Sequence, residues 1–298
     1  LISNGINPVK AANIIFSIPE VTKPNLLIII GSIFFVIFTL LVGTSKMAFS
    51  QEIVFVGSFM IILFLLFKLS NELDANAKKM LIGTAIIIFV FRAMPGVGQG
   101  GSWFEIDVLG FDQEFLSLLG LIASFLTILG IFVLRPLMEK SSMTRLIVIL
   151  SIAGSFFILP SIAMFYEFHE FTSKLTNGLV DARFIAIFNT ALESPLGQVS
   201  MIPILAWIAQ SAPNHLKATF FAVLASFTNL ALSASNLGTK YLNQLFVITR
   251  EVKNDLGIIK TPADYSELGI LLIVVCALTL TVPILVTYIV KKLKLLSY

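Results

Sequence analysis

An all-α, polytopic helical membrane protein with about eight transmembrane helices is what this chain predicts, and three observations carry the prediction. Hydrophobic residues make up 57% of its 298 positions and charged residues only 12%, against about 25% charged in an ordinary globular chain. The apolar residues gather into runs of about 20, the length a helix needs to cross the hydrocarbon core. Stretches such as 26–30 and 61–67 show no alternation of apolar with polar residues, so the strands of a membrane barrel are excluded. A soluble chain of this size would need far more polar surface.

Residues 1–24 are less apolar, carry Pro8, Pro19 and Pro24, and read as a cytoplasmic approach segment or linker. Two additional spans, near 25–44 and 52–70, occupy a unit over 25–79. Six further spans, near 80–103, 113–134, 145–167, 182–209, 216–246 and 267–290, form a unit over 80–298. The sixth and seventh exceed the length a bilayer requires, which predicts tilt, a kink or extension beyond the lipid. No basic region or small-residue cleavage site accompanies the first apolar run. The chain starts at Leu1, so a longer natural protein is expected.

Lys and Arg fall on alternate connections, as the positive-inside rule requires. One side takes Lys10 and Lys23, then Lys68, Lys78 and Lys79, then Arg135, Lys140 and Arg145, then Lys217, Lys291, Lys292 and Lys294. The other side takes Glu105, Asp107, Asp112, Glu114, Glu167, Glu170 and Asp181. Both termini are therefore expected in the cytoplasm, in a multi-pass protein of the cell's inner or plasma membrane. Arg250, Lys253 and Lys260 run against the pattern in the connection near 247–266.

Polar residues inside the spans mark candidate chemistry, because an ionisable group at membrane depth normally lines a wet cavity or a pathway. The third span ends in Arg92-Ala-Met-Pro95-Gly96-Val-Gly98. Proline removes a helix hydrogen bond and glycine loosens the backbone after it, so Pro95, Gly96 and Gly98 are expected to act as a hinge. Arg92, just before that break, is an anion-binding candidate, against the plainer reading of an ion pair within the bundle. Gly96, Gly98 and Gly101 formally spell G-x-G-x-x-G, but no strand precedes them and no βαβ unit surrounds them, so a dinucleotide site is excluded.

In the sixth span Asn189 and Glu193 lie four residues apart, on one helix face, with Ser200 on the same stripe and Pro195 as a second hinge. A mid-span carboxylate is costly when charged, which equips Glu193 to exchange a proton during transport; the plainer reading is a partner for Arg92 or Arg183. The seventh span carries Asn229, Ser233, Asn236 and Lys240 within about 60° of arc. These are expected to line a cavity or to hold helices together, with Lys240 snorkelling to the outer surface. Cys276 is a lone packing residue, and His169 and His215 are too far apart in sequence to suggest a metal site. No cofactor, metal or nucleic-acid partner is expected.

Residues 80–290 resemble the C-terminal half of a major facilitator superfamily transporter, and more narrowly the folate–biopterin transporter family. The resemblance rests on Leu109-Gly110-Phe111-Asp112-Gln113-Glu114-Phe115-Leu116 and the short basic connection that follows that span. It also rests on Met201-Ile202-Pro203, Ala212-Pro213, Ala218-Thr219-Phe220-Phe221-Ala222 and Asn229. It implies a twelve-helix fold of two six-helix halves with cargo bound between them, and makes the missing N-terminal helices of the same protein a partner of this piece. The expected function is secondary active transport of a small organic solute, such as a folate- or pterin-like anion, by alternating access with proton coupling. A muropeptide or other permease of the same superfamily is the alternative within that class. A membrane-embedded enzyme on a lipid-linked substrate is the alternative from another class, although no HExxH, paired intramembrane carboxylates or Ser/His arrangement is present.

Overall fold

The computed structural model describes residues 26–45, 47–197, 199–211, 217–254 and 256–295. The approach segment expected over 1–24 lies outside the described residues, as do His215 and the Ala212-Pro213 pair. Helix α1 (Leu26–Gly43) and helix α2 (Ser50–Ser70) form a hairpin. Helices α3 (Ala75–Arg92) and α4 (Gln99–Asp107) follow, then α5 (Gln113–Val133), the short α6 (Arg135–Lys140) and α7 (Met143–Phe165). After α8 (Phe168–Leu175) come α9 (Ala182–Glu193), a 3₁₀ turn (Ser194–Leu196) and α10 (Met201–Ser211). The long α11 (Lys217–Leu245) and α12 (Leu268–Lys292) complete the bundle, separated by an antiparallel hairpin of β1 (Val252–Lys253) and β2 (Ile259–Thr261).

Among the described residues, α2, α5, α7, α11 and α12 are each long and apolar enough to cross a membrane, and α1 is a shorter apolar helix. The protein is an all-α, polytopic membrane protein. Two expected spans are discontinuous. The third stops at Arg92 and resumes at Gln99, because Pro95 lacks an amide hydrogen and disfavours helical geometry at the residue before it. The sixth stops at Glu193, tightens into the 3₁₀ turn at Pro195, and resumes at Met201. The stripe expected to run from Asn189 through Glu193 to Ser200 therefore ends at Glu193. The strand hairpin, α6 and α8 were not expected from the sequence.

Lipid supplies no hydrophobic drive between helices, so close packing and polar contacts must hold the bundle together. Helix α12 packs along α7, α2 packs along α11, and α3 touches both α11 and α12. A run of rings, Phe55–Phe59–Phe89–Phe227, joins α2, α3 and α11 with centroid separations of 5.9, 5.6 and 5.0 Å. Each such pair is worth about 0.5–1.5 kcal/mol beyond simple burial.

Side-chain caps set several helix starts. Asp74, Asp112 and Asp181 accept from the amides of Ala77, Phe115 and Phe184 at 2.6, 2.8 and 2.8 Å. Each cap is worth about 1 kcal/mol. Asp112 also pairs with Arg183 at 2.7 Å, and the Arg183 guanidinium lies over the Phe115 ring. The Leu-Gly-Phe-Asp sequence before α5 thus ties spans four and six together at the acidic end of the bundle.

Candidate functional site

Pro95 leaves backbone groups without helical partners, and helix α11 supplies them. Ser235 Oγ donates to the Met94 carbonyl at 2.6 Å, the Gly96 amide donates to Thr239 Oγ1 at 2.9 Å, and Asn243 Nδ2 donates to the Val97 carbonyl at 3.0 Å. These three residues recur every four positions, so they form one stripe that clamps the break. Pro95 itself rests on Gly238, where an added Cβ would come within 3.2 Å of the proline ring. Gly98 takes φ of +79° and lies so close to Asn243 that a Cβ there would meet its amide nitrogen at 2.8 Å. Glycine is the residue that fits both demands.

The neighbouring stripe of α11 faces open space. Asn229, Ser233 and Asn236 line a groove of about 1080 Å³, together with Ser226, Lys240 and Asn243. Phe35 and Thr39 of α1, Gln51, Phe55 and Ser58 of α2, and Gln99 at the start of α4 form the remaining walls. The groove combines two aromatic rings with several amides and hydroxyls, and is as large as cavities that hold drug-sized molecules, about 300–1,000 Å³. At its rim Lys240 Nζ pairs with Glu52 Oε1 at 2.6 Å, and the Tyr241 hydroxyl donates to the same oxygen at 2.8 Å. Lys240 is thus bound to α2 and does not snorkel free.

Arg92, Asn189 and Glu193 do not line this groove. Arg92 ends α3 and places Nη1 3.4 Å from the Met201 sulfur, at the point where α10 begins. Its Nε is buried without a partner, and no carboxylate pairs with it among the described residues. The last turn of a helix favours a cation there. Asn189 Nδ2 donates to the Phe157 carbonyl of α7 at 3.3 Å, a bond between helices. Glu193 lies exposed at the end of α9 with no ion pair among the described residues. Arg183, one of its possible partners, is taken by Asp112. Pro195 sits where the 3₁₀ turn meets α5: Thr127 Oγ1 donates to the Ser194 carbonyl at 2.9 Å, and Gly130 admits the Pro195 backbone.

At the acidic end Arg250 grips Asp107 with two bonds of 2.8 and 2.7 Å, and the Tyr265 hydroxyl donates to the same carboxylate at 2.7 Å. The Arg250 guanidinium, with Tyr265, holds the Asp107 carboxyl below the usual carboxylate range. Burial and that bond push Tyr265 up to about 12. This pairing explains why Arg250 stands against the charge pattern: its counter-charge is on α4. Sequence reasoning missed Thr239 and Asn243 in the clamp, although the four-residue spacing Ser235, Thr239, Asn243 was visible.

The BT1 family model matches residues 28–297, nearly the whole chain and including both preceding helices α1 and α2. A curated relative from Synechocystis sp., named folate-biopterin transporter, is 21% identical over 158 residues, covering 53% of this chain and 31% of the relative. The chain thus spans about a third of the length of the relative it matches. No solved structure matches it. A helical membrane bundle with two broken spans and a polar groove, matched by one family model almost from end to end, belongs to the BT1 family.

Proposed function

We propose that this chain is part of a secondary transporter, not an enzyme, and that it moves a small organic solute across the membrane by alternating access. The observation that carries the reading is the groove along α11. Asn229, Ser233 and Asn236 point amides and a hydroxyl into a space of about 1080 Å³ that also contains the Phe35 and Phe55 rings. Flat, hydrogen-bonding heterocycles fit such a lining, with rings against Phe and edges against Asn. The name of the Synechocystis relative makes a folate or pterin the first solute to test, and a muropeptide the second.

The major facilitator architecture belongs to the same proposal: α3–α4, α5, α7, α9–α10, α11 and α12 stand for the six helices of one half, with the other half on the remaining length of the longer relative. Glu193 supports it. An exposed carboxylate on a membrane helix does not face hydrocarbon, so a second bundle or a water-filled path is proposed to cover that surface. Arg92, Asn189, Glu193, Asn229, Ser233 and Asn236 are proposed as solute or coupling residues, with Pro95, Gly96, Gly98 and Pro195 as hinges. Arg92, whose carboxylate partner is absent among the described residues, is proposed to meet an anionic group on the solute when the halves close. Proton coupling at Glu193 and cytoplasmic termini are part of the same reading.

Counterflow of labelled folate, biopterin and a muropeptide into proteoliposomes of the full-length protein tests it. Removing one neutral hydrogen bond costs about 0.5–1.5 kcal/mol, so Asn229→Ala and Asn236→Ala should each raise the half-saturating concentration roughly two- to tenfold. No counterflow with any solute, or unchanged saturation in both variants, would remove the groove as the solute site.

A further inference from the structure

A second cavity, of about 250 Å³, lies between α4, α7 and α12. Ser102 and Glu105 of α4, Ser161 and Met164 of α7, and Leu268 and Leu272 of α12 contribute to its walls. Gly98 lines both this cavity and the groove, so the start of α4 is the partition between them. Glu105 lies past residue 103, where the predicted span ends, and among the described residues is the one ionisable side chain in the cavity lining. Its carboxyl has no ion-pair partner among the described residues.

The two acids nearest it in the fold are otherwise engaged. Asp107, two positions on, is held by Arg250 and Tyr265. Glu267, just before the first turn of α12, accepts from the Val247 amide at 2.8 Å. Tyr166, at the end of α7, places its hydroxyl near Gly269 of α12. Among the described residues, the cavity walls from α7 and α12 carry a hydroxyl, a thioether and hydrocarbon groups, and no charge. Two acids two positions apart on one helix, and so on different faces of it, therefore meet opposite surroundings. Asp107 is fixed as an anion by a guanidinium, while burial without a counter-charge pushes the Glu105 carboxyl up.

We infer that this cavity is a proton-binding site distinct from the solute groove, with the Glu105 carboxylate as the group that gains and loses the proton. The step is association alone: a proton from water bonds to a carboxylate oxygen and leaves by the same bond. The neutral acid sits against Met164, Leu268 and Leu272, whereas the anion draws water into the cavity and pulls α4 away from α7 and α12. Because Gly98 and Gln99 start α4 and also line the groove, that movement reaches the solute. This coupling rests on the transport reading above; the proton site does not.

The test is infrared difference spectroscopy of the full-length protein in nanodiscs, titrated with pH. The wild type should show a carboxylic-acid carbonyl component that titrates above the ordinary glutamate range and that Glu105→Gln removes, separate from any component removed by Glu193→Gln. Glu105→Asp covers the case in which the amide variant misfolds, since it should keep the band at a shifted frequency. No component lost in Glu105→Gln, no shifted component in Glu105→Asp, or no such band in the wild type would overturn the assignment. In proteoliposomes Glu105→Gln should lose proton-driven accumulation at least tenfold while retaining solute counterflow. Accumulation kept at the wild-type level would overturn the coupling. Absence of counterflow in the wild type would defeat the transport reading and leave the infrared result to decide the proton site.

Discussion

Two glycines on one helix give a controlled test of how the broken sixth span is seated. Gly130 of α5 is buried, and a Cβ there would overlap the Pro195 carbonyl oxygen of the 3₁₀ turn. Gly120, ten residues earlier on the same helix, has nothing within 4 Å of the corresponding point. Alanine gains about 1 kcal/mol over glycine in a helix interior, so Gly120→Ala should be neutral or slightly stabilising. At Gly130 the same gain is opposed by overpacking, about 1–3 kcal/mol. The obstacle is backbone, which cannot rotate aside as a side chain would. Pushing α5 outward also breaks the Thr127–Ser194 hydrogen bond of 2.9 Å, worth about 0.5–1.5 kcal/mol. The net loss is about 2 kcal/mol. At roughly 2–4 °C per kcal/mol for a large domain, Gly130→Ala should melt roughly 4–8 °C below the wild type. Thermal unfolding in nanodiscs, followed by intrinsic tryptophan fluorescence, reads this directly, since Trp207 lies on α10 just past the break. Equal melting of Gly130→Ala and Gly120→Ala would refute the proposed seating of the turn on α5.

Three other outcomes are expected. Thr239→Val keeps the shape of the side chain but removes the acceptor for the Gly96 amide; it should destabilise the protein by about 1 kcal/mol, measured as a lower melting temperature, and an unchanged value would show that the clamp contributes nothing. Asp107, whose carboxyl is held low by Arg250, stabilises the fold fully above its unfolded value of about 3.9 and loses that contribution as pH falls through its lower folded value. The melting gap between wild type and Asp107→Asn should therefore be open at neutral pH and close in acid, and a gap independent of pH would contradict the pairing. Helix α8 exposes Phe168, Phe171 and Leu175 along one face, as helices lying in the bilayer interface do; a tryptophan in the variant Phe171→Trp should be quenched by lipids brominated near the headgroup, and absence of quenching would place α8 away from the membrane.

The span ends were legible because hydrophobic runs end where polar caps begin: Asp112 and Asp181 both mark a predicted boundary and cap a helix. The break at Pro95 was legible for the same local reason, since proline acts on its own backbone wherever it stands. The groove-lining stripe of α11 was legible because its period belongs to a single helix. Contacts between elements were not. Nothing local tells that Lys240 meets Glu52, 188 residues away, or that Arg250 meets Asp107 across 143 residues. The wall that α1 and α2 give the groove is likewise a fact of packing. The cavity around Glu105 likewise depends on three helices at once.

The two interruptions differ in what replaces the lost helical bonds, and that difference bears on which one moves. At Pro95 three side chains of α11 satisfy the backbone at 2.6, 2.9 and 3.0 Å, so α3, α4 and α11 are tied together through the break. At Pro195, among the described residues, one hydroxyl from another helix, that of Thr127, reaches the turn, and close backbone contact at Gly130 supplies the rest. A seat held by one hydrogen bond slides at less electrostatic cost than a three-bond clamp, which must be broken to yield. The α9–α10 span is therefore expected to slide first, and the α3–α4 break to carry α11 with it. Arg92, held between them with its nitrogen against Met201 at 3.4 Å, sits where a shift of α10 would expose or cover its charge. Distance measurements by spin labels should then change more between α5 and α10 than between α4 and α11 when solute is added. The opposite ranking would assign the motion to the proline-glycine break.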